Sequence, residues 1–402
     1  MKAKKTSRKI SIPQKIFSFS LILMLFFTAS VSVAFASSET ASIIQSERPV
    51  VEVMFVLDTT GSMGGLIAAA KEKIWSIANT LSSGDPAPDI KMGLVGYRDR
   101  GDQYITTFTP LSDDLDAVYS NLMKFKASGG GDGPESVNQA LHEAVTRTAW
   151  SRNASVYRVI FLVGDAPPHM DYQDDIKYRE TCRKAADKNI IINTIQCGNM
   201  QATRPIWQEI AKIAFGEYFQ VAQAGSAVLY DTPYDKEIAQ LSRKLDETRI
   251  FYGSADYMRE MESRKNKANH IYEAAAPSAV AKRAIFNSKA SGEKNFLGKK
   301  ELVSDVETNG IDISKIKKAE LPAKLRDMDT DEIKNHIKGQ SLRRKELQAK
   351  IDRLAKKRQA HIENLVKNEA GKGGESLDAK IYNCIKTQAA DKKIVYTDGP
   401  AY

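Results

Sequence analysis

Short apolar runs alternate with amphipathic segments from Val51 to about residue 250, and few folds satisfy that rhythm. VEVMFVLD (51–58), IKMGLVGYRD (90–99), VYRVIFLVGD (156–165), NIIINTIQCG (189–198) and EYFQVA (217–222) read as strands. Several are almost unbroken apolar stretches, as strands covered on both faces require. Between them, Ile67, Ala70, Ile74, Ile77 and Leu81 recur at spacings of three and four, and Leu115, Val118, Leu122 and Phe125 mark a second helical face. Further helices are predicted from the glycine loop through Trp150 and over 174–188, 203–215 and 235–249. YITTFTP (104–110) follows the second strand closely enough to fold back on it. The predicted class is therefore α/β: a Rossmann-like, doubly wound, mostly parallel sheet with one antiparallel edge strand. Ligands of such sheets bind beyond the carboxyl ends of the strands, where Asp58, Asp99 and Asp165 all fall.

Charge divides the chain into three. Residues 1–36 carry +6, residues 37–250 carry −6 and residues 251–402 carry +9. The first segment joins a basic stretch, MKAKKTSRKISIPQK, to an apolar one ending in Ala34-Phe35-Ala36. It reads as a signal peptide cut after Ala36, with an uncleaved anchor as the alternative. The expected location is exported: periplasmic or extracellular, and envelope-associated in one reading. A linker over 37–48 leads into a domain over 49–250, followed by a basic, mainly helical region over 251–402. Helices are expected over 254–290 and 341–368, with a linker at 320–332 and a flexible joint at 367–376. Leu347, Ile351, Leu354, Ile362 and Leu365 form a stripe that is too short for a coiled coil and suits packing on neighbouring elements. Export permits a disulfide between Cys182 and Cys197; two buried free thiols are the equal alternative.

The stretch FVLDTTGSM (55–63) carries the chemistry. Asp58, Thr60 and Ser62 place three oxygens on one loop, and alternation aims them to one side. Hard cations such as Mg²⁺ take oxygen ligands and retain waters. Alone, Asp58 reads as well as a helix cap. The Asp-x-Thr-x-Ser motif resembles the metal-ion-dependent adhesion site of the von Willebrand factor type A domain, written Asp-x-Ser-x-Ser there. The resemblance covers residues 49–250. It implies Mg²⁺ (or Mn²⁺) held by Asp58, Thr60 and Ser62 together with Glu135 and Asp165. Glu135 enters because SGGGDGPES (128–136) lacks the family's usual loop threonine and resembles the Asp-x-Pro-Glu loop of integrin β subunits. The same likeness implies a second cation, Ca²⁺, at Asp99, Asp132, the Pro134 carbonyl and Glu135. Against it, the integrin asparagine two residues before the loop aspartate is Gly130 here. Asp99 reads equally as a surface ion-pair partner of Arg98 and Arg100. His169 is expected to be structural, and Asp171, Asp174 and Asp175 to favour a helix N-terminus.

No HExxH, GxSxG, phosphate-binding GKS or CxxC occurs. The combination of loops also resembles the type A domain attached to alpha-type kinases, but no kinase segment is recognisable. The resemblance implies a non-enzymatic, metal-dependent binding or adhesion module that recognises a partner protein's Asp or Glu. Two alternatives belong to other classes. One is an envelope protein that docks on anionic surfaces through its basic tail. The other is a metal-assisted hydrolase. No nucleotide site is expected.

Overall fold

The computed structural model describes residues 48–131, 133–222, 230–369 and 377–401. The proposed leader, most of the 37–48 linker, Asp132 and residues 370–376 of the expected joint lie outside the described residues.

Six strands form one sheet in the order β3-β2-β1-β4-β5-β6. They are β1 (Val50–Asp58), β2 (Asp89–Tyr97), β3 (Thr106–Ser112), β4 (Tyr157–Gly164), β5 (Ile190–Cys197) and β6 (Tyr218–Val221). Only β3 runs antiparallel, on the outer edge of β2. The intervening helices are α1 (Gly64–Leu81), α2 (Leu115–Met123), α3 (Val137–Thr146), α4 (Tyr178–Asp187), α5 (Thr203–Ile213) and α6 (Asp235–Asp246). Alternation along β1 decides the two cores. Val51, Val53, Phe55 and Leu57 face α1 and α2, with the Trp75 ring tilted against Tyr119. Met54 and Val56 face α3, α4 and α5. Because β1 lies between β2 and β4, chain direction across the sheet reverses there, which makes its carboxyl end the switch point of the fold.

The second half of the chain does not form a separate body. Residues Glu47–Tyr402 form one compact unit, so the change in sequence character near residue 250 marks no physical boundary. After α6 come α7 (Ala255–Ala274), α8 (Pro277–Asn287), α9 (Glu293–Leu297), α10 (Leu302–Thr308), α11 (Thr330–Glu369) and α12 (Leu377–Ala390). The single helix expected over 254–290 breaks before Pro277, whose ring holds Ala276 extended at ψ 150°. The α11 stripe packs inward: Leu347 and Ile351 join Ile238, Leu241 and Ala281 of α6 and α8. From α12, Ile381, Cys384, Ile385 and Ala389 enter the same core as β1, followed by Ile394 and Tyr396. Among the described residues no helix is long and apolar enough to cross a membrane.

Buried ion pairs tie these helices to the sheet domain. Arg283 of α8, fully buried, bonds Asp116 of α2 at 2.6 Å and Asp246 of α6 at 3.0 Å. Arg344 of α11 bonds Glu301 at 2.9 and 3.0 Å, and Arg358 bonds Asp235 at 2.8 Å. Removing Arg283 leaves Asp116 charged inside the protein without its ion-pair partner. Arg283→Met is therefore expected to destabilise the fold by about 3–5 kcal/mol in urea unfolding. A loss below about 1 kcal/mol, the scale of an exposed pair, would show that the network does not hold the two halves together.

Candidate metal centre

The carboxyl end of β1 turns straight into a short 3-10 turn (Gly61–Met63) and then α1. Asp58 is fully buried, and its Oδ1 accepts bonds from the Thr60 amide at 2.8 Å and the Thr60 hydroxyl at 2.6 Å. The Thr60 and Ser62 hydroxyls stand 3.3 Å apart. The three oxygen side chains thus form one continuous row. Asp58 does not cap α1, which begins at Gly64 with no side-chain cap.

The glycine loop is pinned against this row. Gly61 donates to the Gly129 carbonyl at 3.0 Å, and Ser128 to the Thr59 carbonyl at 3.1 Å. Gly130 has φ +80°, and a Cβ on it would stand 3.0 Å from Glu135 Oε1 and 3.1 Å from Thr60 Cβ. Glycine therefore lets Glu135 approach Thr60. Glu135 is buried and anchored to the loop after β4: it donates to the Pro167 carbonyl at 2.9 Å and accepts from His169 at 3.1 Å. Asp165 follows β4, next to β1. A Cβ on the preceding Gly164 would lie 3.1 Å from Asp58 Oδ2. The Asp165 carbonyl accepts a bond from the Thr203 hydroxyl at 2.8 Å, which fixes the loop.

Acids gathered here repel one another. Burial pushes Asp58 up to about 7, and the charge of Asp165 adds to the rise while the Thr60 bonds oppose it. Burial pushes Glu135 up to about 9, helped by Asp58, Asp99, Asp102 and Asp165. Asp58 Oδ2 and Glu135 Oε2 are buried without a hydrogen-bond partner. Unsatisfied buried carboxylate oxygens are costly unless something positive meets them. Among the described residues no group of three or more His, Cys, Asp or Glu is arranged to hold a metal by itself. The donor set is instead mixed, with carboxylates beside two hydroxyls. Orphaned acid oxygens next to hydroxyl oxygens fit a hard cation that keeps part of its water.

Of the residues of the expected second site, Asp132 lies outside the described residues and Asp99 has protein partners. Asp99 is buried, and its carboxylate accepts from Ser136 at 3.0 Å and from Tyr172 at 3.0 and 3.2 Å. His169 Nε2 stands 3.3 Å from it. Pro134 sits in the loop beside Glu135. Asp99 is also no surface ion pair, since Arg98 bonds the Thr59 and Lys126 carbonyls and Arg100 pairs with Asp174 and Asp175. The helix expected from 174 accordingly starts only at Tyr178, and Asp171 pairs with His169 at 2.8 Å instead of favouring a helix end. The Cys182–Cys197 disulfide does not form: both thiols are free and buried, in cores on opposite faces of the sheet. Three contributors carried no sequence signal. Asp102 accepts the Gly130 amide at 3.0 Å, Tyr172 stacks on His169, and the Tyr97 hydroxyl lies under Gly164.

Residues 52–233 match the family model described as the von Willebrand factor A domain. That segment is a von Willebrand factor A domain. The chain is 36% identical over 120 residues to von Willebrand factor A domain-containing protein 7 of Rattus norvegicus, covering 30% of this chain and 12% of that protein. It is 29% identical over 121 residues to the alpha-protein kinase vwkA of Dictyostelium discoideum, covering 30% of this chain and 19% of the kinase. The chain thus spans less than a fifth of these relatives. Among solved structures it is similar to the SpRpn10 VWA domain, with 14% identity, a TM-score of 0.33 and coverage of 44% of this chain and 89% of that one. It is also similar to proximal thread matrix protein 1 from the mussel byssus with a zinc-occupied MIDAS motif, with 15% identity, a TM-score of 0.35 and coverage of 44% and 42%.

The raised acids give a signed pH dependence. With EDTA present, the unfolded chain releases these protons near pH 4, whereas the folded chain holds them until about 7 and about 9. Stability conferred by Asp58 and Glu135 is full below about pH 4 and falls as pH rises through that window. In EDTA the melting temperature is expected to fall between pH 5 and pH 9, and Glu135→Gln is expected to flatten the fall. An unchanged slope in the variant would remove Glu135 from the repelling group.

Proposed function

We propose that this protein is a non-enzymatic binding module that engages a partner's carboxylate through Mg²⁺ held by Asp58, Thr60, Ser62, Glu135 and Asp165. Domains of this family typically mediate protein–protein interaction or adhesion. The observation that carries the reading is the pair of buried, partnerless oxygens, Asp58 Oδ2 and Glu135 Oε2, at the switch point of the sheet. The cation, when bound, supplies positive charge at the rim. The chain's own residues do the rest. Thr60 and Ser62 contribute oxygens without further charge, and the positions of the ion left to water are ones that an incoming Asp or Glu can take over. Gly129 and Gly130 let the loop close on Thr60, and the Asp102 carboxylate holds it there.

Nothing among the described residues singles out a general base for a hydrolytic role. The neighbouring imidazole, His169, is held between Asp99 and Asp171. The basic-tail reading loses ground as well, because Arg344 and Arg358 are buried in internal pairs, and Arg343 and Lys345 pair with Glu247 and Glu307. Export through residues 1–36 stays part of the proposal, resting on the sequence pattern there.

Calorimetric titration with Mg²⁺ and Mn²⁺ is expected to give saturable heat, lost in Asp58→Ala. Capture of a partner from the native source is expected with Mg²⁺ and not with EDTA. Undiminished capture in EDTA, or by Asp58→Ala, would overturn the proposal.

A further inference from the structure

A second cleft opens far along the chain from the metal centre. It lies between the first half of α7, the segment 319–326 with its short 3-10 turns, and the start of α11. Its volume of about 690 Å³ falls within the range of small-ligand pockets. Three kinds of demand meet in it.

The first is apolar. Phe251, Met258, Met261 and Leu325 line it, and the exposed lining is mostly carbon. The second is positive charge without a carboxylate. Most of the charged lining residues are already paired: Arg249 with Asp246, Arg259 with Asp256, Lys265 with Glu262, and Glu247 with Arg343. Lys324 and Arg326 are left over. Arg326 bonds only the Leu321 and Ala319 carbonyls, and Lys324 has no hydrogen bond or ion pair among the described residues. His336 stands beside them on the wall, likewise without a hydrogen bond or ion pair among the described residues. The third is a missing donor. Gln340 lines the cleft, and its Oε1 is buried with no hydrogen-bond partner. A buried amide oxygen left unsatisfied is unfavourable, so turning the Gln340 side chain toward the cleft to accept from a ligand's N–H is a gain.

We propose that this cleft binds a small amphipathic anion of the N-acyl amino acid type. Its apolar body packs against Phe251 and Met258, its amide N–H donates to Gln340 Oε1, and its carboxylate meets Lys324 and Arg326. A purely apolar ligand would leave the cations and Gln340 unserved, and a bare inorganic anion would leave the floor unfilled.

Dansylglycine carries all three features, and dansylsarcosine differs only by a methyl in place of the N–H. Fluorescence titration of the full chain is expected to show saturable binding of dansylglycine and weaker binding of dansylsarcosine. Lys324→Glu with His336→Glu, both exposed and unpaired, is expected to weaken dansylglycine by about tenfold or more while leaving the melting temperature unchanged. Gln340→Leu is expected to erase the preference between the two probes. Binding is expected to persist in EDTA and in Asp58→Ala, which separates this site from the metal centre. Absence of saturable binding, insensitivity to the charge reversal, equal affinity for both probes in the unaltered protein, or loss in EDTA would each overturn the proposal.

Discussion

Everything at the functional end depends on β1 being clamped between two parallel neighbours. Its pairing with β2 and β4 runs from Val51 to Leu57 on both sides, and both of its faces are buried. A strand so constrained cannot slip, because a shift of one residue would turn Phe55 and Leu57 into the opposite core. The carboxylate of Asp58 is therefore placed by the whole sheet. Asp165 on the neighbouring strand end and Glu135 on the loop above it inherit that precision.

Much of the sheet domain could be read from periodicity. The strands of the first half appear within a few residues of their expected limits, because buried parallel strands write themselves as unbroken apolar runs. Helix ends were harder. The start of α4 moves to Tyr178 because Asp174 and Asp175 are taken by Arg100, a contact from 74 and 75 residues away that local pattern does not encode. The row Asp58-Thr60-Ser62 was legible as alternating oxygens. The engagement of Asp99 by Tyr172 and Ser136 was not, since it depends on how two loops meet. The choice between a disulfide and two free thiols was not legible for a similar reason: helix and strand adjacency in sequence says nothing about which face of the sheet each sulfur enters.

The basic half shows why composition alone misleads. A region with a net charge of +9 suggests a solvated or surface-binding tail. In the fold, three of its arginines are enclosed with acids of the first half or of its own loops, and its apolar residues finish cores begun elsewhere. Charge there serves internal fit as much as outward attraction. The long helix α11 is consequently a strut, with one side seated on α6 and α8 and the other in water.

The placement of α12 has a consequence for how the molecule is made. Ile381, Ile385 and Tyr396 close the same core that Val51 and Val53 open, more than three hundred residues earlier. A nascent chain can lay down its strands and cover part of this side with α1 and α2 early, yet the part that Ile381, Ile385 and Tyr396 fill closes only when those residues have emerged. The packing of this core is therefore completed late in the order of synthesis.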